Sequence, residues 1–576
     1  MKHIPIILAM TFAMCGPLFG QSKKMHTITY QSYHRGVEQQ DTTYTIVKHL
    51  ANKVSVESAA MDIKNPIPGM STSYSYIDYD SMFVYSQLCY PQDSESYYSK
   101  YNVSDYKITY TTEGKEKLLG YNCTKYSTSI NSNRIDIWMT TDLGINATSM
   151  PQFGELEGVM VRFVRNGSSI TEIKNVEKSK KTQIIIPEDL GKRKTSREMD
   201  NIRRSKMVIT IPVFDDDRIH WGADTKWTAE MPFDSVVHFG DGTLILKRVN
   251  MPKLPLHYQV FAELHARSAG DAYDRTGSIF VIPTSSELSL YDALTKGISS
   301  VPGFKSKKGE EYRGMVIGDN YLPVVELVRF FTPFGVNHFN DRVQIDGLEW
   351  ANEAYYKQEL TDLAPILSGD VIVGAFIGNY DGGGHKVSLD IKAYPGSYEW
   401  DTVNQDTKEW ILPIFNTCNV MEMAGQNYPR FFDTDSLTVS LVVPEGVENL
   451  RLRYISTGHG GWGGGDEFNP KENQIIIDGE KVFTHTPWRS DCGTFREFNP
   501  VSGNFWNGVS SSDLSRSGWC PGTATQPVYF DLPFLAPGVH TITVVIPQGK
   551  EEGGSFSAWS VSGALIGTKR KESEKF

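Results

Sequence analysis

The sequence predicts an all-β protein: two tandem antiparallel sandwiches preceded by a separate, mainly β N-terminal domain. Three observations carry that expectation. Short stretches of alternating apolar and polar residues recur along the chain, helical periodicity is scarce, and a polar, mostly basic run interrupts the pattern near residue 190. At 576 residues the chain is too long for one core, and its 40% hydrophobic content against 22% charged supplies enough apolar surface to repay ordering, so three folded domains are expected. A formal net charge of -11 would repel a phosphate backbone, which argues against nucleic acid as a partner.

Residues 1–20 open with Lys2 and His3 and continue as an apolar run to Phe19, the pattern of a secretory signal peptide. The expected product is therefore secreted or periplasmic. A lipoprotein attached through Cys15 ranks second, because Phe12-Ala13-Met14 lacks the small residues of such signals. No other run approaches the ~18 apolar residues of a membrane span. Residues 21–187 are crowded with Tyr, Ser and Thr in alternating stretches and read as the β N-terminal domain. Residues 188–204 carry Lys192-Arg193-Lys194 and Arg203-Arg204 without an apolar face and read as a linker.

The first sandwich is expected over 205–397, opening on Met207-Val208-Ile209-Thr210-Ile211, with one helix over 350–363. The second is expected over 398–568. There Ile475-Ile476-Ile477-Asp478-Gly479-Glu480 marks a hairpin, because Asp-Gly adopts the positive φ angles of a two-residue turn. Residues 569–576 form a polar tail. Leaving out Cys15, the odd set Cys89, Cys123, Cys418, Cys492 and Cys520 predicts at least one free thiol in an oxidising compartment. Cys89 with Cys123 and Cys492 with Cys520 each lie within one region, but spacing alone does not give connectivity.

Gly458-His459-Gly460-Gly461-Trp462-Gly463 matches the glycine fingerprint of dinucleotide binding, yet no helix follows to receive a phosphate, so a glycine-rich β connection is the better reading. The thirteen histidines form no metal-ligand pattern, and no metal site is expected. No serine elbow is present either. Three stretches instead set charge among glycines and aromatics: Asp271-Ala272-Tyr273-Asp274-Arg275, Gly463-Gly464-Gly465-Asp466-Glu467-Phe468, and Ser512-Asp513-Leu514-Ser515-Arg516-Ser517-Gly518-Trp519-Cys520-Pro521-Gly522. Each alone is more often a solvated turn than a site.

In this order, the Asp-Arg pair, the later glycine run ending in Glu and the Arg-x-Gly-Trp-Cys-Pro-Gly element resemble the peptide-N-glycosidase F family. So does Arg329-Phe330-Phe331-Thr332-Pro333-Phe334. The likeness spans about residues 205–568. It implies two jelly-roll sandwiches, no cofactor, and hydrolysis of the amide joining N-acetylglucosamine to asparagine in an N-glycoprotein or glycopeptide by a monomer. Carried over by position, Asp274 is the implied catalytic aspartate, Arg275 and Arg516 the active-site arginines, and Glu467 the glutamate near the first sugar. The resemblance also implies a Cys492–Cys520 disulfide.

Tyr273, Asp381, His459, Trp462, Asp466, Phe468 and Trp519 are the implied substrate contacts. The family's second glutamate is missing here. The corresponding stretch reads Gly378-Asn379-Tyr380-Asp381-Gly382, with Asp381 as an offset substitute. A bowl-like module similar to the N-terminal domain precedes some relatives of that family. Its segments 118–123 and 135–140 resemble exported proteins of Bacteroidetes. Two other functions stay open at this stage: a non-catalytic glycan-binding protein on the same scaffold, and a glycosidase using Asp274 and Glu467 as a carboxylate pair.

Overall fold

The computed structural model describes residues 24–35, 43–58, 69–223, 230–255, 258–396, 407–461 and 464–570. The expected signal peptide over 1–20 with Cys15, the expected sandwich boundary at 397–398, Trp462 and the end of the expected tail from 571 lie outside the described residues. The chain divides into two compact units between Met207 and Val208. Among the described residues no helix is long and apolar enough to cross a membrane.

The N-terminal unit is built on a 12-stranded sheet that grows in both directions from its first strand. Met25–His34 lies in the middle, paired with Thr43–Leu50 on one side and Ser169–Ser179 on the other. Successive hairpins extend each side outward. Alternation buries one face: Ile28 and Tyr30 are sealed together with Val47, Val54, Ile77, Val84 and Ile137. One outer strand, Thr111–Leu118, is exposed nearly throughout and carries Glu113, Lys115, Glu116 and Lys117, which blunts the sheet edge against pairing with another chain.

The stretch expected as a linker is ordered. Lys192–Arg193 pairs in parallel with Tyr97 and Tyr98, and Ser196–Met207 forms a helix. Thr195 and Glu198 cap it reciprocally, the Thr195 N–H donating to Glu198 Oε2 at 2.8 Å and the Glu198 N–H to Thr195 Oγ1 at 3.2 Å. Only Met199 is buried, beside Leu88 and Tyr90, so the apolar stripe is too narrow to stand out from the charged sequence around it.

The second unit contains the two expected jelly-roll sandwiches, built from four sheets, with a small two-stranded sheet of Gly303–Lys305 and Glu311–Arg313 in addition. In the first, a sheet of Ile209–Ile219, His385–Pro395, Tyr258–Ser268 and Ala354–Glu359 faces a six-stranded sheet. The six-stranded sheet contains Thr276–Ile282 and Val325–Phe331. Its last strand, Ala524–Thr525, comes from far along the chain and pairs with Arg329 and Phe330. The helix expected over 350–363 is instead the strand Ala354–Glu359 followed by a 3-10 turn, Thr361–Ile366. Strict alternation of buried Ala354, Tyr356 and Gln358 with outward Tyr355, Lys357 and Glu359 is a period of two.

The second sandwich sets Thr407–Asn416, Ser557–Arg570, Val447–Gly460 and Val528–Asp531 against Leu437–Val443, Gly538–Val545, Asn473–Ile477 and Glu480–His485. Its hairpin turns through Asp478 and Gly479 at φ 51° and 86°.

A buried ion pair pins the sandwiches together. Arg329 donates from Nε to Glu326 Oε1 at 2.6 Å and from Nη2 to Oε2 at 2.8 Å, and both side chains are fully buried. Across the seam, Ser562 Oγ donates to Glu326 Oε2, Arg453 Nη1 donates to the Glu326 carbonyl, and Arg329 Nη1 donates to Thr457 Oγ1 and the Ser560 carbonyl. Burial works to raise the Glu326 pKa, but Arg329 and the serine hydroxyls outweigh it and hold the carboxyl below its usual range.

Candidate active site

The loop between Tyr258–Ser268 and Thr276–Ile282 carries the first charged cluster. Gly270 lies so close to the neighbouring loop that an added Cβ would fall 2.7 Å from the Gly383 Cα, which fixes how far the loop can enter. Asp271, 1% exposed, organises the turn. Its carboxylate accepts from the Tyr273 N–H at 3.0 Å and from Arg275 Nε at 2.8 Å and Nη2 at 3.4 Å, with His385 Nε2 at 3.5 Å. Burial opposes ionisation of Asp271, yet these donors prevail and leave its pKa lowered. Arg275 is thereby held on one side while its guanidinium lies over the rings of Tyr273 and Tyr380. Thr332 braces the turn, accepting from the Arg275 N–H at 2.7 Å and donating to the Tyr273 carbonyl at 3.0 Å.

Asp274 projects from this turn towards Arg516, which belongs to the second sandwich. The Arg516 side chain is 0% exposed, with Nε donating to Glu467 Oε1 at 3.0 Å. Its Nη1 donates to the carbonyls of Ser511 and Leu514, and its Nη2 donates to Ser511 Oγ. Nη2 also lies 3.6 Å from Asp274 Oδ2, an ion-pair contact longer than a hydrogen bond. Glu467 is fixed in turn by the Gly460 N–H, which donates to Oε2 at 3.2 Å. The 492–520 disulfide expected from the resemblance is present, with Cα atoms 5.2 Å apart, and ties down the segment that delivers Arg516. Cys89, Cys123 and Cys418 are free.

Two carboxylates thus share one buried guanidinium. Burial drives the Asp274 pKa up to about 8; Glu467 adds to the shift, and Arg516 and Arg275 oppose it. Its side chain keeps 16% exposure, an opening through which water can reach it. His459 stands alongside, its Nε2 2.9 Å from Thr457 Oγ1 and its ring beside the stacked rings of Phe331 and Trp519. Burial, then Arg329 and Arg516, push its pKa down to about 3, so it is neutral.

The structure brings Asp274, Arg275, Glu467 and Arg516 together, with Tyr273 62% exposed beside them. Phe468 sits half-buried over the Arg516 guanidinium. Two expected contacts are corrected. Trp519 is 3% exposed, stacked on Phe331 at 4.2 Å, covered by Arg516, and donates from Nε1 to the Gly458 carbonyl, so it has no free face for a sugar. Asp466 is 1% exposed and accepts from Trp559 Nε1 and the Gly549 N–H, so it anchors the glycine loop internally. Asp381 is half-buried, and its Oδ1 closes a turn by accepting from the Gly383 N–H at 2.6 Å.

Sequence reasoning gave no role to Asp271, which grips Arg275, or to Tyr380, which is half exposed. Tyr380 packs 5.7 Å from the Trp221 ring and hydrogen-bonds Glu422. The signal for Tyr380 was present, an aromatic set alone among Gly378, Asn379, Asp381 and Gly382. Among the described residues no three His, Cys, Asp or Glu side chains group as a metal cluster requires.

Tandem jelly rolls with a carboxylate–arginine cluster at their seam define an N-glycanase scaffold. Family models described as "Peptide-N-glycosidase F, N terminal" and "Peptide-N-glycosidase F, C terminal" match residues 210–393 and 427–566, and "N-glycanase peptide, N-terminal domain" matches 28–203. A structure of PNGF-II in space group C2 is 40% identical, with a TM-score of 0.71, over 96% of this chain and 100% of that one. A second, in space group P21, is 40% identical with a TM-score of 0.74 over 94% and 99%. PNGase F, a glycosylasparaginase from Flavobacterium meningosepticum, is 16% identical with a TM-score of 0.42 over 63% of this chain and 96% of that one. No curated protein matches. The chain belongs to the peptide-N-glycosidase F family.

Proposed function

We propose that this protein is an exported glycoamidase that hydrolyses the amide between N-acetylglucosamine and asparagine, giving aspartate and a glycosylamine. The observation that carries the reading is the convergence of Asp274 from one sandwich and Glu467 from the other on the buried Arg516. Asp274, with a pKa near neutrality, is suited to take a proton from water as the water oxygen bonds to the amide carbonyl carbon. Arg275 commits Nε and Nη2 to Asp271, and its Nη1 has no hydrogen-bond partner among the described residues, so this nitrogen is free to face the developing oxyanion. When the carbon–nitrogen bond breaks, the proton held by Asp274 passes to the leaving nitrogen. Arg516, fully engaged by protein groups, orients the two carboxylates, and Glu467 is placed for the first sugar. Export is supported by the N-terminal charge-then-apolar pattern and by the disulfide.

Weighing the peptide after incubation with a denatured N-glycopeptide tests the reaction. Conversion of Asn to Asp is expected. A peptide retaining one sugar would indicate a glycosidase instead, and binding without mass change would indicate a lectin.

A further inference from the structure

Trp506 is 96% exposed, a position that leaves the largest apolar side chain in water. Isolated exposed apolar residues are ordinary on protein surfaces. This one differs because its loop is tied by hydrogen bonds along its length and is built onto the Arg516 cluster. The base of the loop is held to the first sandwich, where the Phe334 N–H donates to Asn499 Oδ1 at 2.9 Å. Its two limbs are clasped by Ser502, Ser510 and Ser512, the Ser510 Oγ donating to Ser502 Oγ and the Ser512 N–H donating to the same oxygen. The tip is a tight turn, with Phe505 N–H to the Val509 carbonyl at 2.9 Å and Gly508 at φ 82°. Ser511, at the end of the loop, accepts two of the Arg516 hydrogen bonds through its carbonyl and hydroxyl. Phe505, next to the tryptophan, packs edge-on against Phe468, which covers the same guanidinium.

We propose that Trp506 is a specificity-determining contact for the glycan, stacking on the apolar face of a sugar beyond the one bonded to asparagine. The inference rests on the glycoamidase reading and extends it. A pyranose presents a flat face of C–H groups ringed by hydroxyls. A rigid indole flanked by the amides of Asn504 and Asn507 offers the matching pair of surfaces. A polypeptide partner would call for a broader apolar patch than this turn offers, where half-buried Phe505 and Val509, 37% exposed, are the apolar neighbours of the ring. Because the contact lies away from the scissile amide, it contributes to binding of substrate and transition state alike and acts on KM.

The test compares Trp506→Ala and Trp506→Tyr with the unaltered protein on two substrates of identical peptide, one bearing a full branched N-glycan and one trimmed to two N-acetylglucosamines. Trp506→Ala is expected to raise KM about 10-fold on the full glycan and less than about twofold on the trimmed one, with Tyr recovering most of the loss. An equal loss on both substrates, a loss confined to kcat, or no change overturns the proposal. Calorimetric titration of the free branched oligosaccharide into each protein separates this idea from the reaction itself. If no protein converts Asn to Asp but affinity falls about 10-fold in Trp506→Ala, the amidase reading fails and the stacking contact stands. Unchanged affinity removes the contact.

Discussion

The second unit buries two arginines completely, and they do opposite things. Arg329 meets one carboxylate, Glu326, in a bidentate pair whose oxygens are further satisfied by Ser278 and Ser562. Both carboxylate oxygens are met at hydrogen-bond distance, the neighbouring Arg453 is taken up by the Glu326 and Leu327 carbonyls, and the cluster holds two sandwiches in register. Arg516 faces two carboxylates with one positive charge. The surplus falls on Asp274, which is half-buried, lies at ion-pair rather than hydrogen-bond distance, and has its pKa raised. Near-identical ingredients become mortar when the carboxylate is fully hydrogen-bonded and leave a carboxylate with a raised pKa when it is not.

The comparison can be broken at either end. The largest effect is expected from Asp274→Asn, which keeps shape but removes the base: turnover should fall by about 10³-fold or more, read by peptide mass, with the melting temperature essentially unchanged. Next in size, Arg329→Met should strand the Glu326 charge and cost about 3–5 kcal/mol in denaturant unfolding, while a Glu326→Met, Arg329→Met double variant recovers much of that. An equal loss in both variants would show that the pair itself, rather than its balance, supplies the stability.

The smallest effect is a shift in pH profile. Asp274 must be ionised to accept a proton, and its pKa is raised to about 8, so kcat/KM should fall as pH drops through that value. In Glu467→Gln the like charge that helps to raise it is gone, and the limb should move to lower pH. Movement in the opposite direction would remove Glu467 as a cause.

Much of this site was legible before the coordinates. Asp274, Arg275, Glu467 and Arg516 are charged residues set among glycines and aromatics in β connections, and such clustering survives in one dimension. What sequence does not carry is depth. Asp466 and Glu467 are neighbours of equal chemistry, yet one is sealed against Trp559 and the other faces the shared arginine. Trp519 looked like a platform because tryptophan serves equally as core and as surface. Asp271 was singled out with its stretch but given no role, because a buried carboxylate reads like a solvated one. The Ser196–Met207 helix was hidden for a related reason, since one buried methionine does not make a visible stripe.

Ala524–Thr525 completes the edge of a sheet whose other strands are encoded some 150 residues or more earlier, between Val236 and Ile377. During synthesis, the apolar strand Val325–Phe331 has an open margin until Ala524–Thr525 has emerged, a hazard for sticking to other chains. The same delay means that the cleft cannot assemble on a nascent fragment. Asp274 stays without its buried arginine until the segment that carries Arg516 has been made.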